Sequence, residues 1–312
     1  MQQELYIGVD LGGTNSKVAL VTAAGEILEK CSTPTNLPRP AEAICDDIAA
    51  RCKALAQSRT VRGIGVGCPG TISGNRVLYS NNLDWHNFAM GDYLAQKIGL
   101  PVVLGNDANV AALGEALAGC AKGAESAVIV TLGTGVGSGV VLQGRLLTGY
   151  TGAGAELGHT VLCDAPDAPL CTCGRRGCFE TYASATALIR ITKATARQNP
   201  KSLLAQADVI NGKTAFDAAA AGDAAAKEVC SRYIHYLAVG LANIINTFYP
   251  QVIGLSGGVA NQGEKLLVPL REAVRPMIFG GDAASRGIQI VSCTLGYQAG
   301  MIGAALLAKQ QK

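Results

Sequence analysis

Residues 5–22 read LYIGVDLGGTNSKVALVT, and this stretch decides the fold class. The apolar runs at 5–10 and 17–22 are typical of strands, and the glycine-containing segment 12–15 between them is typical of a turn. A third strand-like run at 26–33 follows a further turn. The start of the chain therefore predicts an antiparallel meander of three strands.

This strand–turn–strand pattern occurs a second time. Apolar runs at 128–132 and 136–142 flank the glycine turn 133–135, and an offset of 121 residues places Ile7 on Val128. Each copy opens a segment of domain size. The repetition therefore suggests that the chain consists of duplicated halves.

Strands and helices alternate along the rest of the chain. The residue pattern predicts helices over 40–58, 88–98, 110–117, 180–198, 218–249 (with a break at Gly222), 265–277 and 298–309. It predicts strands over 61–67, 101–104, 252–255 and 288–293. This alternation indicates the α/β class, and 312 residues suffice for about two domains. We expect the domains to pack around a shared cleft, where ligands usually bind.

Composition and charge exclude several classes of protein. Hydrophobic residues make up 49% and charged residues 16% of the chain, which excludes a disordered protein. The net charge is +3 and the chain has no basic run, so we expect no nucleic-acid partner and no membrane partner. The N-terminus lacks a signal-peptide pattern, and the apolar stretch 127–142 contains too many glycines and threonines to span a bilayer. We therefore expect a cytoplasmic protein.

Three glycine-rich loops each follow an apolar run. They read DLGGTN at 10–15, LGTGVG at 132–137 and SGGV at 256–259. Without a Cβ, backbone N–H groups can approach an anion closely, so three such loops fit a bound nucleotide. Asp10, at the end of the first strand, could hold Mg²⁺ through water. The alternative is that these turns merely need glycine. The sequence contains neither a P-loop nor a Rossmann fingerprint.

A cluster of metal-binding residue types lies in the second half of the chain. His159 precedes Cys171, Cys173 and Cys178 in a stretch rich in glycine and proline. One imidazole and three thiolates make a closed tetrahedral Zn²⁺ site, and a closed site is structural. The alternatives are unrelated buried cysteines, a redox pair such as Cys171 with Cys178, or Cys163 as a substitute ligand. Zinc is favoured because a cytoplasmic protein is kept reduced and the ligand count is complete.

Three carboxylates are candidates for chemistry or binding. Asp107 follows an apolar strand at a predicted helix start, whose positive end would keep it ionised as a general base. Its alternative role is an ordinary helix N-cap. Glu156 and Glu180 flank the cysteine cluster and could accept hydrogen bonds from vicinal sugar hydroxyls. The alternative is that both are surface glutamates, with Glu180 in the first turn of a helix.

A series of motifs covers nearly the whole chain. They are Asp10-Leu11-Gly12-Gly13-Thr14 with Lys17, Cys68-Pro69-Gly70, Asn82-Leu83-Asp84-Trp85, Asn106-Asp107-Ala108-Asn109, Leu132-Gly133-Thr134-Gly135, Glu156-Leu157-Gly158-His159, Cys171-x-Cys173-Gly174-x-x-Gly177-Cys178-x-Glu180 and Gly257-Gly258-Val259. In content and order they resemble the motifs of the ROK sugar kinases, and they look most like those of the bacterial glucokinases of that family. Cys68 is a small departure, since related kinases often carry alanine there.

The resemblance implies the actin-like/hexokinase (ribonuclease H-like) fold, with two α/β domains around a central cleft. We expect a small N-terminal domain over residues 1–115, completed by the C-terminal helix 298–312. We expect a large domain over 116–297, which contains the zinc-binding loop 159–180. Family members are commonly oligomers, so a homodimer or homotetramer is expected.

The resemblance also implies ATP- and Mg²⁺-dependent phosphorylation of D-glucose to glucose 6-phosphate, with Asp107 as the general base. The sugar would be bound by Gly70, Asn82, Asn106, Asp107, Glu156, His159 and Glu180. ATP would be bound by Asp10, Gly12, Gly13, Thr14, Asn15, Lys17, Gly133, Thr134, Gly135, Gly257 and Gly258. The structural Zn²⁺ would be held by His159, Cys171, Cys173 and Cys178. His159 would use one ring nitrogen for zinc and offer the other to the sugar.

Three alternative functions stay open at this point. Another hexose could be the substrate: mannose, fructose, allose, N-acetylglucosamine or N-acetylmannosamine. A ROK-like transcriptional repressor would carry an additional helix-turn-helix, for which the nine residues before Asp10 leave no room. An actin-like ATPase would not need Glu156, His159 and Glu180 arranged around zinc.

Overall fold

The nine predicted strands and one unpredicted short strand form two five-stranded sheets, and a small third sheet is added. The computed structural model describes residues 3–281, 283 and 286–311. Its strands are β1 (Leu5–Leu11), β2 (Asn15–Thr22), β3 (Ile27–Pro34), β4 (Val61–Cys68), β5 (Thr71–Ser73), β6 (Arg76–Ser80), β7 (Trp85–Phe88), β8 (Val102–Asn106), β9 (Ser126–Leu132), β10 (Val136–Leu142), β11 (Arg145–Leu146), β12 (Val252–Ser256) and β13 (Gln289–Ser292).

The first sheet contains the predicted antiparallel meander and two parallel strands, in the order β3-β2-β1-β4-β8. The β1–β2 register sets Asp10 opposite Lys17 across the hairpin. The parallel pairs β1–β4 and β4–β8 set Asp10 opposite Gly67 and Cys68 opposite Asn106. Because the carboxyl ends of parallel strands meet at one edge, Asp10 and Asn106 lie at the same edge of this sheet.

The second sheet repeats the strand order of the first. Its order is β11-β10-β9-β12-β13, and β12 and β13 run parallel. Counted along the chain within each sheet, both orders are 3-2-1-4-5. The first two strands of each sheet are the two glycine-turned hairpins, so the repeated hairpin of the sequence did indicate a repeated sheet.

The third sheet, β5-β6-β7, was not anticipated from the sequence. In β7, the rings of Trp85 and Phe88 meet edge to face with centroids 5.4 Å apart, and Trp85 is buried. Phe88 is the last residue of β7 and pairs with Val77 of β6. The predicted helix 88–98 accordingly begins only at Met90.

Nearly all the predicted helices are present with shifted ends. They are α1 (Ala41–Ala56), α2 (Met90–Ile98), α3 (Asp107–Ala118), α4 (Glu180–Ala183), α5 (Ala185–Gln198), α6 (Thr214–Ala220), α7 (Ala224–Phe248), α8 (Glu264–Val274) and α9 (Ala299–Gln310). Among the residues described, no helix is both long and apolar enough to cross a membrane.

Local capping explains two of the shifted helix ends. The predicted helix 180–198 is interrupted at Ser184, whose hydroxyl accepts a hydrogen bond from Ala187 N and caps α5. The break predicted at Gly222 is confirmed, because this glycine has a φ of +96° and α7 begins two residues later. The side chain of Asp223 caps the first turn of α7.

The C-terminal helix α9 packs closely on α3 and on the first sheet because glycines line the contact. A Cβ at Gly8 in β1 would overlap the carbonyl oxygen of Met301 in α9. A Cβ at Gly303 in α9 would overlap the carbonyl oxygen of Val110 in α3. Some of the 39 glycines of the chain therefore allow close backbone packing and need no role in ligand binding.

The chain divides into two compact units. Unit 1 comprises Met1–Ile129, Gly139–Ala155 and Cys293–Lys312. Unit 2 comprises Val130–Ser138 and Glu156–Ser292. The domain boundaries expected from the family resemblance stay a prediction.

Candidate functional site

The residues predicted to bind substrates and metals fall into two sets, one in each unit. Unit 1 contains Asp10, Gly12, Gly13, Thr14, Asn15, Lys17, Gly70, Asn82, Asn106 and Asp107. Unit 2 contains Gly133, Thr134, Gly135, Glu156, His159, Cys171, Cys173, Cys178, Glu180, Gly257 and Gly258. Most members of each set lie at the ends of strands or in the loops that follow them.

Asn106 and Asp107 occupy the junction of β8 and α3. Asn106 is the N-cap of α3, because its Oδ1 accepts a hydrogen bond from Asn109 N at 3.1 Å. Its Nδ2 donates to the Gly70 carbonyl oxygen at 3.0 Å. Asp107 is the first residue of the helix. The N-cap of α3 is therefore Asn106 and not Asp107, although Asp107 Oδ1 does accept a hydrogen bond from Ala108 N in the first turn.

The surroundings of Asp107 make it a stronger base than an ordinary aspartate. Burial raises the pKa of its carboxyl, and the negative charge of Asp10 adds to the rise. The hydrogen bond from Ala108 N to Oδ1, at 2.9 Å, lowers the pKa and opposes part of this effect. A carboxylate with a raised pKa holds a transferred proton more firmly, as a general base must.

Asp10 is paired with a lysine and faces the start of α9. Lys17 Nζ lies 3.6 Å from Asp10 Oδ2 and 5.6 Å from the ring centroid of Tyr297. Burial raises the pKa of Asp10, and the Lys17 charge lowers it. A Cβ at Gly300 would lie 2.8 Å from Asp10 Cγ, so a glycine there leaves room for the carboxylate. The sequence reading missed Tyr297 and Gly300.

The remaining predicted sugar residues of unit 1, Gly70 and Asn82, follow β4 and β6. Gly70 has a φ of +111°, and a Cβ there would overlap the carbonyl oxygen of Tyr79. Asn82 is exposed in the turn after β6. Its carbonyl oxygen lies 3.9 Å from the point where a Cβ on Gly13 would stand. A residue of the sugar set and a residue of the ATP set are therefore neighbours.

Some loop glycines are required by packing. A Cβ at Gly135 would overlap the carboxylate of Glu180. Gly257 has a φ of +89°, and a Cβ there would overlap the backbone of Leu132. At Gly257 the backbone of the turn is therefore sufficient to explain the glycine, whereas at Gly135 the glycine leaves room for the Glu180 carboxylate.

Other loop glycines face open space. A Cβ at Gly133 or Gly258 would have no heavy atom within 4 Å from the described part of the chain, apart from the adjacent residues. At Gly13 the nearest atoms are 3.9 Å away. Gly12 N donates to Asn15 O at 3.0 Å and closes the turn of the first loop. The three open glycines leave backbone accessible to a ligand, as nucleotide binding requires.

The structure brings His159, Cys171, Cys173 and Cys178 together, with all ligand atoms within 4.8 Å of one another. His159 Nδ1 lies 3.5 Å from Cys171 Sγ, and the Sγ atoms of Cys173 and Cys178 are 3.6 Å apart. Tetrahedral zinc, with Zn–S of about 2.3 Å and Zn–N of about 2.0 Å, separates its ligand atoms by about 3.5–3.8 Å. The donor set and its spacing therefore fit Zn²⁺. Cys163 is not a member of this group.

The thiols of this zinc-type cluster differ in acidity. The backbone N–H of Arg175 lowers the pKa of Cys173 to about 6, whereas burial raises the pKa of Cys178 to about 12. Arg175 also donates a hydrogen bond from its guanidinium to the carbonyl of His159. A bound cation would stabilise the thiolate form of Cys178 against this rise and take the place of its proton.

Glu180 connects the cysteine cluster with the second glycine loop. Its Oε2 accepts a hydrogen bond from Val136 N at 3.0 Å. Its Oε1 accepts from Thr172 Oγ1 at 3.4 Å and from Cys171 Sγ at 3.5 Å. Glu180 is therefore half-buried and hydrogen-bonded, and it also stands in the first turn of α4, as the alternative interpretation has it. Glu156 is exposed, directly before the 3₁₀ turn Leu157–His159.

A family model described as the ROK family matches residues 6–311. The chain belongs to the ROK family. The glucokinase of Halalkalibacterium halodurans is 38% identical over 323 residues, which cover 100% of this chain and 97% of that protein.

Solved ROK structures are similar over the same length. A ROK family glucokinase from Streptomyces griseus, in complex with glucose and AMPPNP, is 37% identical with a TM-score of 0.76. The match covers 98% of this chain and 99% of that chain. A ROK hexokinase from Thermus thermophilus is 34% identical with a TM-score of 0.84, and 98% of each chain is covered.

For this ROK family member, the predicted α/β class and actin-like fold are confirmed by the sheets and by these solved relatives. The roles of individual residues in binding and catalysis stay predictions. The sequence reading missed that Glu180 bonds to Val136 and Thr172. No signal in a single sequence marks a backbone N–H as the partner of a distant carboxylate.

Proposed function

We propose that this chain is an ATP-dependent kinase that phosphorylates D-glucose to glucose 6-phosphate. The observation that carries the proposal is Asp107, a half-buried carboxylate of raised pKa in the first turn of α3. The choice of substrates is supported by the relatives, which include a glucokinase at 38% identity and a solved glucokinase with glucose and AMPPNP.

Asp107 accepts the proton of the glucose 6-hydroxyl while that oxygen attacks the terminal phosphorus of ATP. Ala108 N holds Oδ1, which orients the carboxylate and leaves Oδ2 for the hydroxyl. The positive end of α3 favours the ionised form before the transfer. The Asn106 cap and its bond to Gly70 fix the backbone that carries this base. Positioning and a matched base are the main contributions that a kinase makes to this reaction.

In this proposal, the hydroxyls of the sugar are bound by Gly70, Asn82, Asn106, Asp107, Glu156, His159 and Glu180. The phosphates and the nucleoside of ATP are bound by Asp10, Gly12, Gly13, Thr14, Asn15, Lys17, Gly133, Thr134, Gly135, Gly257 and Gly258. Open space at Gly13, Gly133 and Gly258 supports close approach of backbone N–H groups to phosphate oxygens. Lys17 adds a positive charge beside the first loop.

Two metals belong to the proposal. Asp10 offers carboxylate oxygens, the ligands that Mg²⁺ prefers, and bound Mg²⁺ would neutralise negative charge on the ATP phosphates. His159, Cys171, Cys173 and Cys178 would hold Zn²⁺, which would fix the shape of their loop. With Nδ1 directed at Cys171, His159 has Nε2 as the nitrogen for a sugar hydroxyl. Glu180 is kept in place by its bonds to Val136 and Thr172.

The experiment that tests the function is phosphorylation of a hexose panel with ATP, read by coupled detection of ADP. The panel contains glucose, mannose, fructose, allose, N-acetylglucosamine and N-acetylmannosamine. We expect glucose to give the highest kcat/KM. A preference for another hexose would make the chain a different ROK kinase, and ADP release without any sugar would indicate an actin-like ATPase.

The assembly and location are also part of the proposal. The family resemblance supports a homodimer or homotetramer and a domain division of 1–115 with 298–312 against 116–297. The cytoplasmic location rests on the targeting pattern of the sequence. Size-exclusion chromatography with light scattering measures the oligomer directly. A monomer at micromolar concentration would contradict it.

A further inference from the structure

Cys120 and Cys293 are distant in sequence but adjacent in space. They are 173 residues apart along the chain, and their Sγ atoms are 3.9 Å apart. Both thiols are half-buried and both residues belong to unit 1. Neither takes part in the proposed kinase site or in the zinc-type cluster. Cys120 lies in the turn after α3, and Cys293 lies directly after β13.

The buried carboxylate of Glu115 fixes the backbone on both sides of this thiol pair. On one side, Glu115 Oε2 accepts a hydrogen bond from Cys120 N at 3.0 Å. On the other side, Thr294 N donates to Oε2 at 3.1 Å and Leu295 N donates to Oε1 at 2.7 Å. The two cysteine-bearing segments are therefore held together by a group other than the thiols. The adjacency of the two segments therefore does not depend on a bond between the sulfurs.

We propose that Cys120 and Cys293 are a modification site that forms a reversible disulfide with a small-molecule disulfide as the oxidant. The thiolate of one cysteine attacks the small disulfide and releases one small thiol, which leaves a mixed disulfide on the protein. The second thiolate then attacks the protein sulfur and releases the second small thiol. Two protein thiols are oxidised, one small disulfide is reduced to two thiols, and the two protons pass to the released thiols.

The geometry permits this reaction with small adjustments. A disulfide has an S–S distance of about 2.0 Å, so the two sulfurs must approach by about 1.9 Å. Both cysteines lie outside helices and strands, where side-chain rotation and a slight backbone shift suffice. The oxygens of Glu115 already accept hydrogen bonds from three backbone N–H groups. This occupation favours the disulfide over a metal ion held by Glu115 and the two sulfurs.

The disulfide would close a loop that contains every residue of unit 2. Unit 2 lies within residues 130–292, between the two cysteines. A cross-link that closes so long a loop restricts the unfolded chain strongly and thereby stabilises the folded one. The thermal stability of this protein is therefore expected to depend on the redox state of Cys120 and Cys293.

The test starts from freshly purified, zinc-loaded protein incubated with oxidised glutathione and then digested with trypsin under non-reducing conditions. Cleavage after Lys and Arg releases peptides 98–122 and 287–309, each of which contains a single cysteine. We expect these peptides to be linked in the wild type and to separate after dithiothreitol. We expect the melting temperature to rise by about 5 °C on oxidation.

Three variants make the test specific. Cys120→Ser and Cys293→Ser should each lose both the linked peptide and the rise in melting temperature. Cys31→Ser, at another half-buried cysteine, should keep both.

Three results would overturn the proposal. The first is two peptides that each carry glutathione but remain unlinked, and the second is a linked protein that melts no higher than the reduced one. The third is a zinc content that falls by one ion per chain in a Cys120→Ser/Cys293→Ser double variant, which would assign the pair to a metal site.

Discussion

The two sets of candidate binding residues are positioned by different means. In unit 1, regular secondary structure holds the carboxylates: Asp10 ends β1 opposite Lys17, and Asp107 starts α3 behind the Asn106 cap. In unit 2, residues 160–179, all of which the structure describes, form isolated bridges but no helix or strand. There, the cysteine and histidine side chains converge instead and fix the loop.

One fold therefore uses two ways of holding polar groups in place. Hydrogen-bonded strands and a capped helix need no ligand to keep Asp107 in position. A loop without such ladders needs cross-links to hold its backbone in place, and the proposed zinc would supply them. Activity should therefore be lost when the Asp107 carboxylate of unit 1 is replaced, and when the proposed zinc of unit 2 is removed.

Replacement of the proposed base is expected to have the largest effect. Asp107→Asn keeps the size of the side chain but removes the proton acceptor, so kcat should fall by about 10²–10⁴-fold. The KM for glucose should change little, because the amide still hydrogen-bonds to a hydroxyl. Steady-state kinetics with saturating ATP measure both constants.

The matched control for this variant is Asp92→Asn, which changes a carboxylate in the first turn of another helix of unit 1. Its kcat should stay at the wild-type value. A large rise in KM with normal kcat in Asp107→Asn would make Asp107 a binding residue rather than the base.

Removal of the metal from unit 2 should have the next largest effect. Purified, reduced protein should contain one zinc per chain, and Cys178→Ser or prolonged chelation should lower kcat/KM by at least about tenfold. The cause would be loss of the loop that carries His159 and Glu180. Metal analysis and kinetics on the same samples check both parts.

The control for the metal experiment is Cys230→Ser, at a buried cysteine of α7 in the same unit but outside the cluster. It should keep its zinc and its activity. Full activity in metal-free protein would remove the distinction drawn between the two units.

The smallest expected effect is a pH dependence that belongs to unit 1. Because the pKa of Asp107 is raised, kcat/KM should fall about tenfold per pH unit below a midpoint that lies above the ordinary aspartate value of about 3.9. The folded state binds the proton of a group with a raised pKa more tightly than the unfolded state does, and this binding stabilises the fold at low pH. That stabilisation is lost as the pH rises through the folded-state pKa. Asp107→Asn should lack this part of the pH dependence of unfolding. An activity midpoint at or below the ordinary value would contradict the assignment.

Much of the fold was readable from local patterns. The hairpin at 5–22 and its repeat indicated the two sheets, because glycine turns between apolar runs are a local signal. The sheet β5-β6-β7 was missed, since its strands are short and the run at Phe88 also fits the start of a helix. The interruption at Ser184 was missed because a serine inside a helical pattern shows its capping role only when its bond to Ala187 is known.

Some features of the candidate site were also readable from the sequence, and others only from the structure. Residue types and spacing in the sequence identified His159 and the three cysteines, because the ligands of such a site come from one short loop. The sequence also singled out Asp107, but it left open whether this residue or its neighbour caps α3. Only the structure showed that Asn106 is the cap, since capping depends on where the helix begins.

The α/β class, the repeated glycine-turned hairpin and the cluster of His159 with three cysteines were readable from the sequence alone, because each depends on residues close together in the chain. Tertiary structure decided which loop glycines are open and which are packed, the bonds of Glu180 to Val136 and Thr172, and the meeting of Cys120 with Cys293. These contacts join residues that strand order and helix packing bring together. Their partners lie far apart in sequence, so no local pattern contains them.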